Sequence, residues 1–576
     1  MGLVMDYLAL SKNCKKKTDD SFLNYSLAVA GTSSTQLLSC ALKGYAYEEG
    51  IALNVFDAPY NQLDAQFLDQ DSSLYKETPN AILIYISSES LQTEFAALDL
   101  DAKKDFANTV MNRIVKYWDA IIKNSKAKIL QYNFVNINSS IFGSYGISLE
   151  YSFEYQISKL NMLLVDNARN NSGVYIVDLN NQQSLIGRDA FYDDKFYYVA
   201  KMPISTKALP YAAKIVIDVI KVFIGKIKKC IILDLDNTLW GGVIGDDGLE
   251  NIQIGELGIG QAYSDFQRWL KSLKQRGIIL AVCSKNEAEI AKLPFEKHPD
   301  MVLRLDDFAC FVANWDNKAA NIISIQKTLN IGMDSIVFID DNPFERDQVK
   351  SAIPELCVPD MPQDAALYVK YLKELNLFET VSFSLEDSKR NDLYRVEAKR
   401  LELEKDSVNY DDYLKNLEME AKCAAFDSFS IPRVSQLTQR SNQFNLRTIR
   451  YSVDDIERIS KDDNYITRYF NLKDKLGEYG LISVLIMKKE KDYLFIDTLL
   501  MSCRVLKRGM EEFIFNSIAT IAKELGYKKV VGEYIKTEKN AMVESLYTTM
   551  GYEDVGNNRF VLDVDNYKNK NTYIKG

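Results

Sequence analysis

Histidine is nearly absent from this chain: His298 is the single one among 576 residues. A histidine-rich zinc site is thereby excluded, and any serine hydrolase triad would depend on that one imidazole. Surplus positive charge is lacking as well. Against 70 Lys and Arg stand 80 Asp and Glu, a net charge of −10, which argues against nucleic acid as the main partner because such binding rests on excess basic residues. The eight cysteines include no C-x-x-C pair, the usage of a reduced cytosolic protein whose thiols are mostly inert core fillers. No apolar run reaches membrane-spanning length, and in MGLVMDYLALSKNCKKK the charges follow the apolar stretch, the wrong order for a secretory signal. A cytoplasmic protein that uses neither membrane nor nucleic acid is expected. Internal repeats and low-complexity tracts do not occur.

What the chain does have is an ordinary globular composition, 47% hydrophobic and 26% charged, over a length too great for one core. Three domains are expected. From Leu27 to about Ile220, strand-like runs (SLAVAG, ALNVFD, AILIYI, KILQYNF, GVYIVDL) alternate with helical stretches, the pattern of a parallel α/β sheet. A second such series follows: KCIILDL, IILAVCS, MVLRL, SIVFIDD and LCVPD. The charged residues 385 to 422 read as a helical connector. Beyond them LISVLIMKK and YLFIDTLLMS, consecutive strands, adjoin helix MEEFIFNSIATIAKELG and strand KKVVGEY, an α+β arrangement. The expected borders are 1–226, 227–376, 377–422 for the connector and 423–576.

The chemistry concentrates in DLDNTLWGG. A strand that delivers Asp234 and Asp236 at its carboxyl end places one carboxylate as a nucleophile and the next as its proton-transfer partner, at the ligand crevice of an open sheet. An acidic pair at a strand end also serves as a turn or helix cap, and a lone Lys is usually a solvated charge. Order and spacing separate the readings. Ser284 ends the next run, Lys318 follows in NWDNKAANI, and Asp340 and Asp341 end SIVFIDD. Fewer than fifty residues separate Asp236 from Ser284, too few for a lid domain, so an open site is expected.

This series resembles the haloacid dehalogenase superfamily of aspartyl phosphotransferases, with its four motifs in order. The resemblance implies that Asp234 attacks phosphorus, that Asp236 protonates the leaving oxygen and later activates water, and that Ser284 and Lys318 hold phosphoryl oxygens. It also implies a Mg²⁺ ion held by Asp234, Asp340, Asp341 and the backbone carbonyl of Asp236.

Longer segments, from DLDNTLWGGVIGDDG through FIDDNPFERD to LTQRSNQFNLRTIRY, look like the FkbH-like branch (subfamily IIIC) of that superfamily. Members similar to glyceryl transferase/phosphatases dephosphorylate an activated phosphoglycerate and load the glyceryl unit on an acyl carrier protein in polyketide assembly. Such loading needs a thiol, for which Cys283 beside Ser284 is the candidate, with a small buried hydrophobe as the alternative. His298 reads as an assisting base or as a structural hydrogen-bonding residue. At the front, AGTSS and Asn133 look like an SGNH-hydrolase fold. The D-x-x-H segment has no His, Asp193 and Asp194 being at most its remnant, so Ser33 is expected not to hydrolyse and the domain to bind or dock. The last domain resembles the acyl-CoA-using N-acetyltransferase (GNAT) fold, which implies coenzyme A or phosphopantetheine at Arg504, Arg508, Gly509, Asn540 and Tyr547. Lys507 stands where that pattern has Gly, and an Asn cap and a core Tyr explain the last two equally well.

Two function classes follow. One is a Mg²⁺-dependent phosphatase or phosphotransferase acting on a phosphorylated small molecule, such as a sugar phosphate, or on an acyl phosphate. The other is a multidomain assembly or substrate-binding protein with a residual site.

Overall fold

The structure, a computed structural model, describes residues 4–137, 139–171, 173–383, 387–405 and 409–576. The chain divides into two compact units, Met1–Val222 and Phe223–Gly576. The first is built on a parallel sheet of β1 (Leu23–Gly31), β2 (Ile51–Asp57), β3 (Ala81–Tyr85), β4 (Lys128–Tyr132) and β5 (Val174–Val177), in the order β2-β1-β3-β4-β5. β3 is buried at all five positions, as expected of a strand covered by helices on both faces. The amphipathic helix Phe106–Asn124 buries Val110, Ile114, Trp118 and Ile121 against it.

The second unit opens with another parallel sheet: β6 (Cys230–Leu233), β7 (Ile279–Ser284), β8 (Cys310–Ala313) and β9 (Ile336–Ile339), ordered β8-β7-β6-β9. Helix Gly258–Gln275 covers it with Phe266 and Leu270. The expected α/β layout is observed, with two departures in this sheet. MVLRL is not a strand. Met301 and Leu303 are buried from a loop, whose backbone N–H groups at Val302 and Leu303 are taken by the fully buried Gln267 side chain, and the third strand in chain order is instead CFVA. LCVPD contributes only a single bridge, Val337 to Cys357.

The third sheet is mostly antiparallel: β10 (Glu420–Ala424), β11 (Tyr465–Asp474), β12 (Gly477–Lys489), β13 (Leu494–Met501), β14 (Lys529–Glu533), β15 (Glu553–Gly556) and β16 (Arg559–Asp563), ordered β10-β11-β12-β13-β14-β16-β15. Helix Met510–Glu524 packs Ile514, Phe515 and Ile518 on it.

Between the two sheets runs helix Arg390–Lys405. Of the charged stretch read as a connector, residues 384–386 and 406–408 lie outside the described ones. The remainder is more deeply seated than its composition suggests. Asn391 is fully buried, its side chain accepting from the Leu280 N–H at 3.0 Å and donating to the Asp307 carbonyl at 3.0 Å. Arg400 is 1% exposed and forms a two-pronged pair with Asp474, 2.8 Å at both contacts, while lying 3.9 Å from the Tyr479 ring centroid. Gly277 has φ +97°, and a Cβ there would meet the Asp387 carbonyl oxygen at 2.6 Å, so only glycine admits this close approach.

Replacing Asn391 by Ala leaves a strand N–H and a carbonyl buried without partners. Asn391→Ala is therefore expected to cost about 2 kcal/mol, read as a lower denaturant midpoint for the full-length chain; an unchanged midpoint would refute the bridging role.

Candidate active site

The parallel register of the central sheet creates the site. β6 pairs with β9 so that Leu233 faces Ile339, and the Asp234 N–H donates to the Ile339 carbonyl at 2.9 Å. The next residues of both strands therefore meet: Asp234, Asp340 and Asp341 bring carboxylate oxygens within 4.8 Å of one another. Lys318, the first residue of helix Lys318–Leu329, reaches into the same volume. Its Nζ lies 2.9 Å from Asp234 Oδ2 and 2.6 Å from Asp340 Oδ2, with lysine and both carboxylates almost wholly buried. Ser284 ends β7, on the other side of β6, and is buried at the same strand ends.

Asp236 is aimed by its own turn. Its Oδ1 accepts from Trp240 Nε1 and the Ile244 N–H, both at 3.0 Å, and Oδ2 accepts from Asn286 Nδ2 at 3.1 Å. Thr238 donates to Asp341 Oδ1 and accepts the Asp341 N–H, each at 3.2 Å. Arg346 donates from one nitrogen to the carbonyls of Asp340 and Asp341 at 2.9 and 2.6 Å, fixing the turn that carries both acids. Thr238, Asn286 and Arg346 lie inside the segments DNTLW, SKN and PFERD, but sequence reading assigned them no role. Only the folded turns show that they hold the acids rather than react.

The electrostatics follow from crowding. Burial, then the neighbouring Asp234 charge, push Asp340 above the usual carboxylate range, and Lys318 opposes the shift. Asp341 and Asp236 are raised too, again by burial first. Burial alone would lower Lys318, but Asp234 and Asp340 outweigh it and hold the ammonium well above its ordinary value. Three crowded carboxylates, Asp234 and Asp340 buried and Asp341 half-buried, against one ammonium leave a surplus of negative charge. A hard divalent cation with oxygen ligands suits that surplus, and the three acids fit it.

Two comparisons relate the chain to known proteins. The family model "FkbH, N-terminal domain" matches residues 26–221. A crystal structure of the N-terminal part of the protein BF1531 from Bacteroides fragilis, containing a phosphatase domain complexed with Mg, is 42% identical, covers 66% of this chain and 100% of its own, and superposes with a TM-score of 0.63. The chain belongs to the FkbH-like family. No curated protein matches it significantly. The ribosomal-protein-S18-alanine N-acetyltransferase from Escherichia coli is 11% identical, covering 25% of this chain and 94% of its own at TM-score 0.20. The spermidine N-acetyltransferase from Vibrio cholerae, in complex with CoA and spermine, is 12% identical, covering 26% and 98% at TM-score 0.21.

Other residues singled out in this FkbH-family sequence lie elsewhere. Side chains alternate along β7, so Cys283 turns away from Ser284 into the core beside Ile322 and Phe338. It is fully buried, and burial pushes its thiol up to about 12, the opposite of what a thiolate nucleophile requires. His298 ends helix Ala288–Lys297 and accepts the Asp300 N–H at 3.3 Å, a structural task. In the first unit Asn133 donates to Asp178 at 2.7 Å, Asp193 caps helix Asp194–Ala200, and Asp194 sits in that helix's first turn. Ser33 is buried.

The five residues read as a cofactor site in the last domain do not form one. Arg504 and Arg508 point inward, Arg508 onto Glu397 and the Tyr479 hydroxyl. Gly509, at φ +84°, precedes helix Met510–Glu524, but the Glu511 carboxylate already accepts the Lys507 N–H at 3.1 Å, so an anion there would meet a negative group. β13 and β14 pair over only two residues and then diverge, the kind of opening that receives an extended arm. The protein fills it itself. Leu446 N–H donates to Leu499, Met501 N–H to Phe444 and Ile535 N–H to Leu446, while Asn540 Nδ2 donates to the Asn445 carbonyl at 2.9 Å. Tyr547 is a core ring stacked on Phe560.

Neutralising Asp341 removes repulsion from Asp234 together with a cation ligand. Asp341→Asn is expected to melt at or above the wild type without Mg²⁺ and to lose most of the wild-type gain with it, about 2.7 kcal/mol at a hundredfold excess over Kd. An equal gain in both proteins would refute cation binding by these acids. In a thiol-labelling test of the native protein, the exposed Cys423 is expected to react with iodoacetamide and Cys283 to stay unmodified; early modification of Cys283 would contradict its burial.

Proposed function

We propose that this chain is a magnesium-dependent phosphatase of the haloacid dehalogenase type, acting on a phosphorylated small molecule. The observation that carries the reading is the meeting of Asp234, Asp340 and Asp341 around the Lys318 ammonium at the strand ends. Two residue types from three segments of the chain do not converge on one crowded volume for stability, since burial and the neighbouring Asp234 charge raise the cost of ionising Asp340 and Asp341. The B. fragilis relative, with its phosphatase domain complexed with Mg, supports the same reading.

Asp234 Oδ is the nucleophile: it forms a bond to phosphorus as the ester oxygen leaves. The Asp236 carboxyl gives that oxygen its proton, so a neutral alcohol departs and an aspartyl phosphate remains on Asp234. The Asp236 carboxylate then takes a proton from water as the water oxygen attacks the same phosphorus, returning free Asp234 and inorganic phosphate. The contacts to Trp240, Ile244 and Asn286 hold Asp236 for both proton transfers. Lys318 and Ser284 offset and orient the equatorial phosphoryl oxygens. A bound Mg²⁺, held by Asp234, Asp340, Asp341 and the Asp236 carbonyl, supplies the positive charge that lets a phosphate approach three carboxylates. Transfer of an acyl unit to a thiol of this chain would need a reactive sulfur, and Cys283 is fully buried.

Asp234→Asn is expected to hydrolyse an aryl phosphate in Mg²⁺ at below about one-thousandth of the wild-type rate, while Cys283→Ala stays within a fewfold of it. In Asp236→Asn, intact-mass analysis should detect one added phosphoryl group on residue 234. Wild-type turnover by Asp234→Asn, or no turnover by the wild type on any of a panel of phosphate esters, would overturn the proposal.

A further inference from the structure

An ion pair that the catalytic scheme does not use joins two of the turns that hold the acids. Lys285 Nζ lies 2.7 Å from Glu345 Oε1. Lys285 stands between Ser284, which ends β7, and Asn286, whose side-chain amide donates to Asp236 Oδ2. Glu345 is in the first turn of helix Pro343–Ala352, directly before Arg346, whose guanidinium donates to the carbonyls of Asp340 and Asp341. In the order β8-β7-β6-β9 the two partners flank β6, the strand that Asp234 follows. Neighbouring strands lie about 4.8 Å apart, so the ends of β7 and β9 are about 10 Å from each other, a gap that a lysine and a glutamate side chain together cover. The pair therefore runs across the strand-end opening from one side of Asp234 to the other.

Neither turn needs this pair to keep its shape. Asp236 is already held by Trp240, the Ile244 N–H and Asn286, and the Asp340–Asp341 turn by Thr238 and Arg346. Its charge, in contrast, bears on the chemistry. A phosphate dianion entering this volume meets the carboxylates of Asp234, Asp340 and Asp341. Lys318 is shared by two of those acids, and Arg346 gives its hydrogen bonds to the turn's carbonyls. The Lys285 ammonium is instead held by a carboxylate outside the acid cluster, and its side chain is 35% exposed against 12% for Glu345. A partly exposed ion pair is weak, and the flexible four-carbon stem of lysine lets its ammonium swing between anionic partners. A doubly charged anion therefore competes well with one carboxylate for it.

We infer that the Lys285–Glu345 ion pair is a strap over the strand-end site, which the substrate's phosphate opens by drawing the Lys285 ammonium from Glu345 onto its own oxygens. The inference rests on the phosphatase reading. It makes Lys285 a substrate-binding residue and Glu345 its competitor, so that affinity for the phosphate group is set in part by a residue that never touches it. A strap and a brace differ in one sign. If the pair only fastened the two turns, losing either partner would loosen the acids and weaken binding. With a strap, losing Glu345 frees the lysine and strengthens binding.

The test compares full-length wild type, Glu345→Gln and Lys285→Met in Mg²⁺. Orthophosphate affinity is read by calorimetric titration and as the inhibition constant against an aryl phosphate, with kcat and KM for that ester measured alongside. Glu345→Gln is expected to bind orthophosphate about threefold or more tighter than wild type and to show a lower KM, with kcat within a fewfold and the Mg²⁺-induced gain in Tm unchanged. Lys285→Met is expected to bind about tenfold more weakly. Glu345→Gln is nearly isosteric, so it decides the matter if Lys285→Met does not fold. Unchanged or weaker binding by Glu345→Gln, or wild-type affinity in Lys285→Met, would overturn the strap while wild-type turnover left the phosphatase reading standing. A wild type that neither binds orthophosphate nor hydrolyses any phosphate ester would overturn both.

Discussion

Like charges held close in a place water barely reaches govern the centre of this protein. Asp234 and Asp340 are adjacent because β6 and β9 are paired in register, so the backbone ladder that holds the sheet together also forces the acids to meet. One ammonium, Lys318, bridges two of them and leaves negative charge over. Everything nearby is arranged to keep the acids from turning away: Thr238 and Arg346 fix the Asp340–Asp341 turn, and Trp240, Ile244 and Asn286 fix Asp236. A site under this tension is held by a sheet that is apolar at nearly every position beneath it and over-determines the geometry.

At the opposite end of the same sheet the last domain and helix Arg390–Lys405 bring Arg390, Arg433 and Arg440 together around Asp387. Helix Arg390–Lys405 is thus more than a tether. Asn391 closes hydrogen bonds of the central domain and Arg400 pairs inside the last one, so a single helix of highly charged sequence fastens both. The last domain, for its part, uses its own chain at Phe444–Leu446 to close the gap between β13 and β14.

Much of the fold was legible from hydrophobic periodicity, because core strands read as largely apolar runs, and these predicted all five strands of the first sheet. MVLRL misled for a physical reason. An apolar run signals burial, not extension into a sheet, and here burial is achieved by a loop whose N–H groups find a glutamine instead of a strand. The charged stretch after residue 385 hid its burial because paired charges look like a solvated face until their partners, distant in sequence, are known.

What the sequence determined by itself is the set of acids and the lysine at strand ends and a helix start, since spacing along parallel strands leaves little freedom over where their carboxyl ends point. Which neighbours reach them was decided only by tertiary structure. Cys283 and Ser284 are adjacent in sequence yet face opposite sides of the sheet, and Arg504 and Arg508, read as facing a cofactor, turn inward to partners from other segments. Contacts between residues a hundred positions apart, such as Arg508 with Glu397, carry no local signature, because they depend on how two packed layers meet and not on the residues beside them.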